Sequence, residues 1–443
     1  MRMLVVYDYG GPPLWYFLPV VRARARLAVY VPRPARLDPV ERAMLTAATE
    51  RVLLDDDTWD RRDEQETERR VVAAAQDWCA DAVLCFSELY ATQTAGAAEK
   101  LGLRGAGTAG AARARDKLLM RDALEAAGVS GVRYRPLRSE SDIVALMSDV
   151  DGPVLVKPRL GMSAAGIQRV DRADQARQAF ASAQESLADF DVPADADQAF
   201  LVEELLRGDA DLWYPVPGLS DQVCVEGLVV AGEYVPVAIT DVTPKVPPFT
   251  QSGHVSPTSM DVSARRRVIA TAERAVAALG LDTCGTHVEL KLMPDGRCAV
   301  VEIAARYAGR TIIPQTDFAY GCDLVGALAD ALLHGTSTAR RFDPEAPPSG
   351  AAATIYLYGS ECLGTHRSPV PFGGFATHPA ELLDQTVRVA GYTERERGWL
   401  VEDRVHEQPY WLAQLYLQGT SPAALRESVG RVRRESRLVP EDG

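Results

Sequence analysis

Residues 287–310 read HVELKLMPDGRCAVVEIAARYAGR. Polar and apolar side chains alternate on both sides of Pro294-Asp295-Gly296, which commits this stretch to two antiparallel strands joined by a tight turn. Each arm carries an acid, Glu289 in the first and Glu302 in the second. If the loop is the two residues Asp295-Gly296, the glutamates stand directly opposite one another. A three-residue loop with a bulge, which Pro294-Asp295-Gly296 also suits, shifts the pairing by one and sends them to opposite faces. Opposed like charges destabilise a sheet unless a cation lies between them. A hard divalent ion meets that need, since Mg²⁺ takes one or two carboxylates and completes its shell with phosphate oxygens and water. If the second strand runs far enough, Arg306 shares a face with Glu302 and the small Ala304. There its forked guanidinium would offset charge on a transferring phosphoryl group. The plainer reading is a surface ladder of carboxylate and arginine.

A chain of 443 residues is too long for one ordinary core, so two to four compact units are expected. With 61 carboxylates against 48 Lys plus Arg, the net charge is −13. That argues against a nucleic acid or an anionic membrane as the main partner and leaves room for a local basic cleft. The seven cysteines are scattered without a C-x-x-C pair, and read as small core residues in a reducing cytosol. MRMLVVYDYGG reads as a first strand and its loop rather than a signal peptide, and no apolar run approaches a membrane span.

Apolar segments such as MLVVYD and DAVLCF alternate with helical ones, implying a parallel α/β layer over residues 1–112. Arg113 to Ala127 has a helical pattern stopped by Gly128. The hairpin GPVLVKPRLGMSAAGIQRV follows, then a helix over Gln175 to Ala188; together they suggest a second unit, 113–200. A third unit, 201–340, starts with LVEELL, continues through strands around VCVEGLVV and YVPVAIT with GEY as their turn, and ends with the acidic hairpin. After the Pro-rich ARRFDPEAPPSG, residues 349–443 read as a small C-terminal domain.

GAGTAG (Gly105, Gly107, Gly110) spells G-x-G-x-x-G, but a helical run leads into it, so the dinucleotide reading lacks its strand. Lys157 ends the strand VLVK, and the loop Gly161 to Gly166, with Ser163 inside it, has side chains small enough for its backbone amides to close over a polyphosphate.

These motifs, in this order, resemble the ATP-grasp superfamily, and most of all its carboxylate-amine ligases of the bacilysin-type L-amino acid ligase group. The likeness rests on RDKLLMRDAL, VLVKPRLGMSAAGI, LVEELLRGD, QSGHVSPT, HVEL and VEIAARYAGR, spread over residues ~80 to 335. The resemblance implies an ATP-grasp fold, mixed α/β and α+β, with an N-terminal parallel α/β domain and a small C-terminal extension. It implies ATP and Mg²⁺ as cofactors, and a carboxylate and an amine, amino acids among them, as substrates. It implies that Lys117 and Lys157 contact the nucleotide, that Gly161, Ser163 and Gly166 form a lid, and that Glu203, Glu204 and Leu206 read the adenine. A ribose carboxylate falls to Asp209 or Asp211, of which Asp211 is chosen. Glu289 and Glu302 would hold Mg²⁺, with Arg306 on the γ-phosphate or acyl phosphate. His254, Gly309 and Arg310 would border the substrate, an arginine at 310 favouring one that carries a carboxylate. Many ATP-grasp enzymes have Asn where this chain has Ala304, which bears on a second metal. Dimers are common among the proteins resembled. Trp213-Tyr214 is expected either to wall the substrate site or to pack on the surface, and His287 to be structural. Other acceptors, as in carboxylation or formyl transfer, and a nucleotide-binding module without turnover are the competing readings.

Overall fold

The computed structural model describes residues 1–441 except 57–58, 61–62, 130, 162–165, 187–198, 248 and 403–409. Four strands open the chain: β1 (Arg2–Val6), β2 (Arg26–Val31), β3 (Arg51–Leu54) and β4 (Ala82–Cys85). They form a parallel sheet in the order β3-β2-β1-β4. β1 and β2 are near-continuous runs of buried apolar residues, as a parallel sheet covered on both faces requires.

A second sheet contains β5 (Tyr134–Pro136), β6 (Val154–Pro158), β7 (Gln168–Val170) and β8 (Phe200–Glu204), ordered β5-β8-β6-β7. β8 thus pairs with β5 and β6 although a unit boundary was expected at 200/201, after its first residue. Lys157 pairs with Leu201 and Leu155 with Glu203, so the strand that ends in two acids completes the sheet that carries the lysine. The expected helix over 113–127 is two helices, Thr108–Arg115 and Lys117–Ala126. Asp116 between them is extended because its side chain caps the second helix, accepting from the Leu118 amide at 2.9 Å. The helix expected from 175 to 188 runs from Ala176 to Glu185.

The largest sheet comprises β9 (Gln222–Val230), β10 (Glu233–Val242), β11 (Gly253–Ser256), β12 (Cys284–Leu292), β13 (Cys298–Ala304) and β14 (Ala351–Tyr358). Between β9 and β10 the turn is Ala231-Gly232, both with positive φ, and Glu233 and Tyr234 already belong to β10. The C-terminal segment is less separate than expected. Of β15 (Val370–Phe375), β16 (Val387–Glu394), β17 (Leu400–Val401), β18 (Trp411–Gly419) and β19 (Leu438–Pro440), β16 and β18 extend the large sheet beyond β14. The rest form a three-stranded sheet in the order β17-β15-β19. The seven cysteines are free thiols, four of them buried. Among the described residues no helix is long and apolar enough to cross a membrane.

One polar contact joins the second sheet to the third. Arg121, on the Lys117–Ala126 helix and 1% exposed, donates to Glu203 Oε2 of β8 at 3.0 and 3.1 Å. The same guanidinium donates to the carbonyls of Val300 and Val301 of β13, both at 2.9 Å. Removing one member strands a buried charge. Arg121→Met is expected to cost about 3–5 kcal/mol of unfolding free energy in a denaturant titration, and a loss under 1 kcal/mol would show that this contact carries little.

Candidate active site

The acidic hairpin forms differently from either arrangement expected from sequence, yet its glutamates meet. Met293 and Arg297 close the loop through Met293 N–H to Arg297 O at 2.9 Å, leaving the three residues Pro294 to Gly296 between them. Leu290 pairs with Val300, but Glu289 pairs with Glu302, so Val301 is an extra residue in β13. This bulge cancels the shift that the three-residue loop introduces and returns both carboxylates to one face. Bulges leave ladder groups unpaired, and the Arg121 guanidinium takes the two carbonyls at this one. No sequence motif singled out Arg121. β13 ends at Ala304, so Arg306 reaches the site from the bend beyond it rather than by strand alternation.

The hairpin forms one wall of a cavity of about 1040 Å³ that also takes in β6, β8, β11 and the N-terminal loop after β1. Lys117, Lys157, Glu203, Glu204, Leu206, His254, Glu289, Glu302, Arg306, Gly309 and Arg310 all border it. Asp211 does not: it is exposed on the short turn Ala210–Leu212, its amide donating to Asp209 at 3.1 Å. The following Trp213 and Tyr214 are core residues, with Trp213 Nε1 donating to Met293 O at 3.0 Å, so they neither wall the cavity nor lie on the surface. Gly161 and Gly166 flank the lid expected between β6 and β7, and Ser163 lies outside the described residues. Gly161 O accepts from Lys117 Nζ at 3.2 Å.

Several of the charges in the cavity are paired within the protein. Lys117 Nζ is 3.1 Å from Glu302 Oε1. Lys157 Nζ contacts Glu203 Oε1. Burial alone would raise the Glu203 carboxyl; Arg121 and Lys157 outweigh it and bring it down to about 2. The Lys157 ammonium is pushed below its ordinary value by burial, with Glu203 opposing. Glu88, which the sequence reading did not single out, reaches in from the N-terminal layer. Its Oε2 lies 2.6 Å from Arg306 Nε. Burial would raise its carboxyl, and Arg306, Arg115 and Lys117 more than compensate.

Glu289 is fixed by Gln222 Nε2 at 2.8 Å and Gln251 Nε2 at 2.9 Å. Burial opposes its ionisation, but His287, Lys245 and Gln251 hold it well below the usual carboxylate range. Two oxygen-donor carboxylates on one face, each beside a protein cation, suit a hard divalent ion bound together with phosphate. His254 on β11 is 3% exposed, and among the described residues neither ring nitrogen has a partner. Burial lowers its pKa to about 4, so the ring is neutral near pH 7. Arg310 has φ 61° and lies over the Tyr356 ring at 4.8 Å, with Nη2 3.3 Å from the Tyr9 hydroxyl. Among the described residues no carboxylate forms an ion pair with it.

Parallel layer, small antiparallel sheet and acid-bearing large sheet close on one cavity, and within this frame residues 150–314 match the ATP-grasp domain family. Over 99% of its length and 98% of the relative's, the chain is 29% identical to alanine–anticapsin ligase of Bacillus subtilis. The L-amino acid ligase of Bacillus licheniformis superposes with a TM-score of 0.74 at 17% identity, covering 100% of this chain and 99% of that one. The biotin carboxylase domain of Hydrogenobacter thermophilus 2-oxoglutarate carboxylase, solved with MgADP, does so at 0.68 and 14% identity, over 99% and 90% of the two chains.

The His254 assignment has a pH signature. A group whose folded pKa lies below its unfolded value binds protons more tightly in the unfolded chain, so stability falls as pH drops from about 6.5 towards 4. The shift corresponds to roughly 3 kcal/mol. In denaturant titrations across that window the wild type should lose up to this amount more stability in total than His254→Gln does. Parallel curves would place a charged His254 in the folded protein.

Proposed function

We propose that the protein is an ATP-dependent ligase that joins a carboxylate, in the first instance that of an amino acid, to an amine. The observation that carries this reading is the pair Glu289 and Glu302 on one cavity face, with Lys117, Lys157 and Arg306 around it. A carboxylate oxygen of the substrate attacks the γ-phosphorus of ATP, the bond to the β-phosphate oxygen breaks, and an acyl phosphate and ADP result. The amine of the second substrate then attacks the acyl carbon, phosphate leaves, and the nitrogen gives up a proton. Magnesium, when bound by Glu289 and Glu302, supplies positive charge at the phosphate oxygens. Lys117, Lys157 and Arg306 stabilise the charge that develops on the transferring group. The full-length likeness to alanine–anticapsin ligase and to an L-amino acid ligase supports an amide or dipeptide as product.

Arg310 narrows the substrates. A guanidinium held by two tyrosines beside the cavity, with no carboxylate of its own among the described residues, favours a substrate that carries an additional carboxylate. A phosphate-release screen over pairs of amino acids, with mass detection of products, tests the reaction. Pairs containing Asp or Glu are expected to rank first. Arg310→Leu should lower kcat/KM for the acidic substrate about 10–100-fold, the worth of a charged hydrogen bond, while changing neutral substrates much less. Equal losses on both would remove Arg310 from substrate recognition. Glu302→Gln and Arg306→Ala should each abolish turnover, by about 10²–10³-fold or more, while the protein stays folded. Wild-type rates in either would end that residue's part in the mechanism.

A further inference from the structure

We propose that Cys224, His287 and Glu289 form a binding site for a thiophilic divalent cation of the zinc type, set into the sheet beside the phosphate-binding wall. The pairing of β9 with β12 places Cys224 opposite Glu289 and Glu226 opposite His287, two neighbouring cross-strand pairs on one face. A sulfur, an imidazole nitrogen and a carboxylate oxygen are thereby brought within 4.8 Å of one another. Tetrahedral zinc, with bonds of about 2.0–2.3 Å, wants donors about 3.3–3.8 Å apart. Binding therefore requires the three side chains to draw together by about 1 Å.

The surroundings already have the form of a metal ligand shell. Glu226, 0% exposed, holds His287 Nδ1 at 2.5 Å and leaves Nε2 turned towards Glu289 at 3.4 Å. A carboxylate behind a histidine fixes its ring orientation and raises its basicity as a ligand. The other Glu226 oxygen is buried without a partner. Gln222 and Gln251 fix the Glu289 carboxylate. Sulfur and imidazole are poor ligands for magnesium and good ones for zinc or cobalt, so this set selects a softer ion than the facing glutamates do. Binding replaces the Cys224 thiol proton with a metal–sulfur bond. Because Glu289 belongs to both sets, a zinc ion here withdraws one carboxylate from the magnesium-nucleotide complex and inhibits the ligase. Metal binding itself does not rest on the ligase reading.

The full-length protein, without nucleotide or magnesium, is titrated with Co²⁺ and followed by absorption. One equivalent is expected to give the visible bands of a tetrahedral site and a near-ultraviolet thiolate-to-cobalt charge-transfer band, both removed by added Zn²⁺. Cys224→Ser and Cys224→Ala should lose the charge-transfer band and weaken Zn²⁺ at least tenfold. Glu226→Gln should keep the band and weaken Zn²⁺ about 10–100-fold. Cys79→Ser, at an exposed cysteine, should match wild type. No charge-transfer band in wild type, or one that survives loss of Cys224 or vanishes with Cys79→Ser, overturns the proposal. If the Cys224 variants fail to fold, the Glu226→Gln and Cys79→Ser spectra decide by the same criteria. Glu302→Gln separates the two readings, since it should stop ligation and leave the cobalt spectrum intact.

Discussion

The geometry of the site depends on one buried guanidinium. Without an extra residue in β13, the three-residue loop of the hairpin would turn Glu302 away from Glu289, and no pair of carboxylates would face the cavity. The bulge at Val301 prevents this, at the cost of main-chain groups that the ladder no longer pairs. A buried carbonyl left without a donor costs about 1–3 kcal/mol, and Arg121 supplies donors to two. Its charge is tolerable in the interior only because Glu203 lies against it. Glu203 in turn contacts Lys157 at the end of β6. A single chain of contacts therefore runs from the bulge that aims the metal carboxylates to the lysine assigned to the nucleotide.

Much of this was legible in the sequence, and the failures have identifiable causes. The parallel layer, the hairpins and the two glutamates were readable because alternation and turn residues are local signals. The bulge was not: Cys298 to Ala304 offers no glycine or proline to mark an extra residue, and what fixes it comes from a helix some 180 residues earlier. The pairing of β8 with β6 was missed for a similar reason, since sheet partners separated by a helix leave no local mark. Asp211 was chosen by position after a turn, whereas the segment is anchored by Trp213 entering the core. Glu88 sits in SELYATQ, a stretch without a motif. Only the fold shows it meeting Arg306 from another layer.

Apart from Arg310, the charged groups assigned to nucleotide and metal are matched before any substrate arrives. Lys157 has Glu203, Lys117 has Glu302, Arg306 has Glu88, and Glu289 has His287 and Lys245 nearby. Such pairing holds the buried carboxyls of Glu203, Glu88 and Glu289 down where burial alone would raise them. It also governs what can enter. A hard metal ion on its own would approach Glu289 and Glu302 against the adjacent charges of Lys117 and His287. A nucleotide on its own would bring its phosphates up to two carboxylates. Each ligand is opposed when single, and the opposition cancels when both arrive, with the metal on the glutamates and the phosphates on the lysines and arginine. Binding of metal and nucleotide is thus coupled, and by linkage each raises the affinity of the other by the same factor. A soft ion escapes this constraint, since it takes His287 as a ligand instead of meeting it as a neighbouring charge. Glu289 is thus common to both sites, and the two kinds of cation are told apart by what each does to one imidazole.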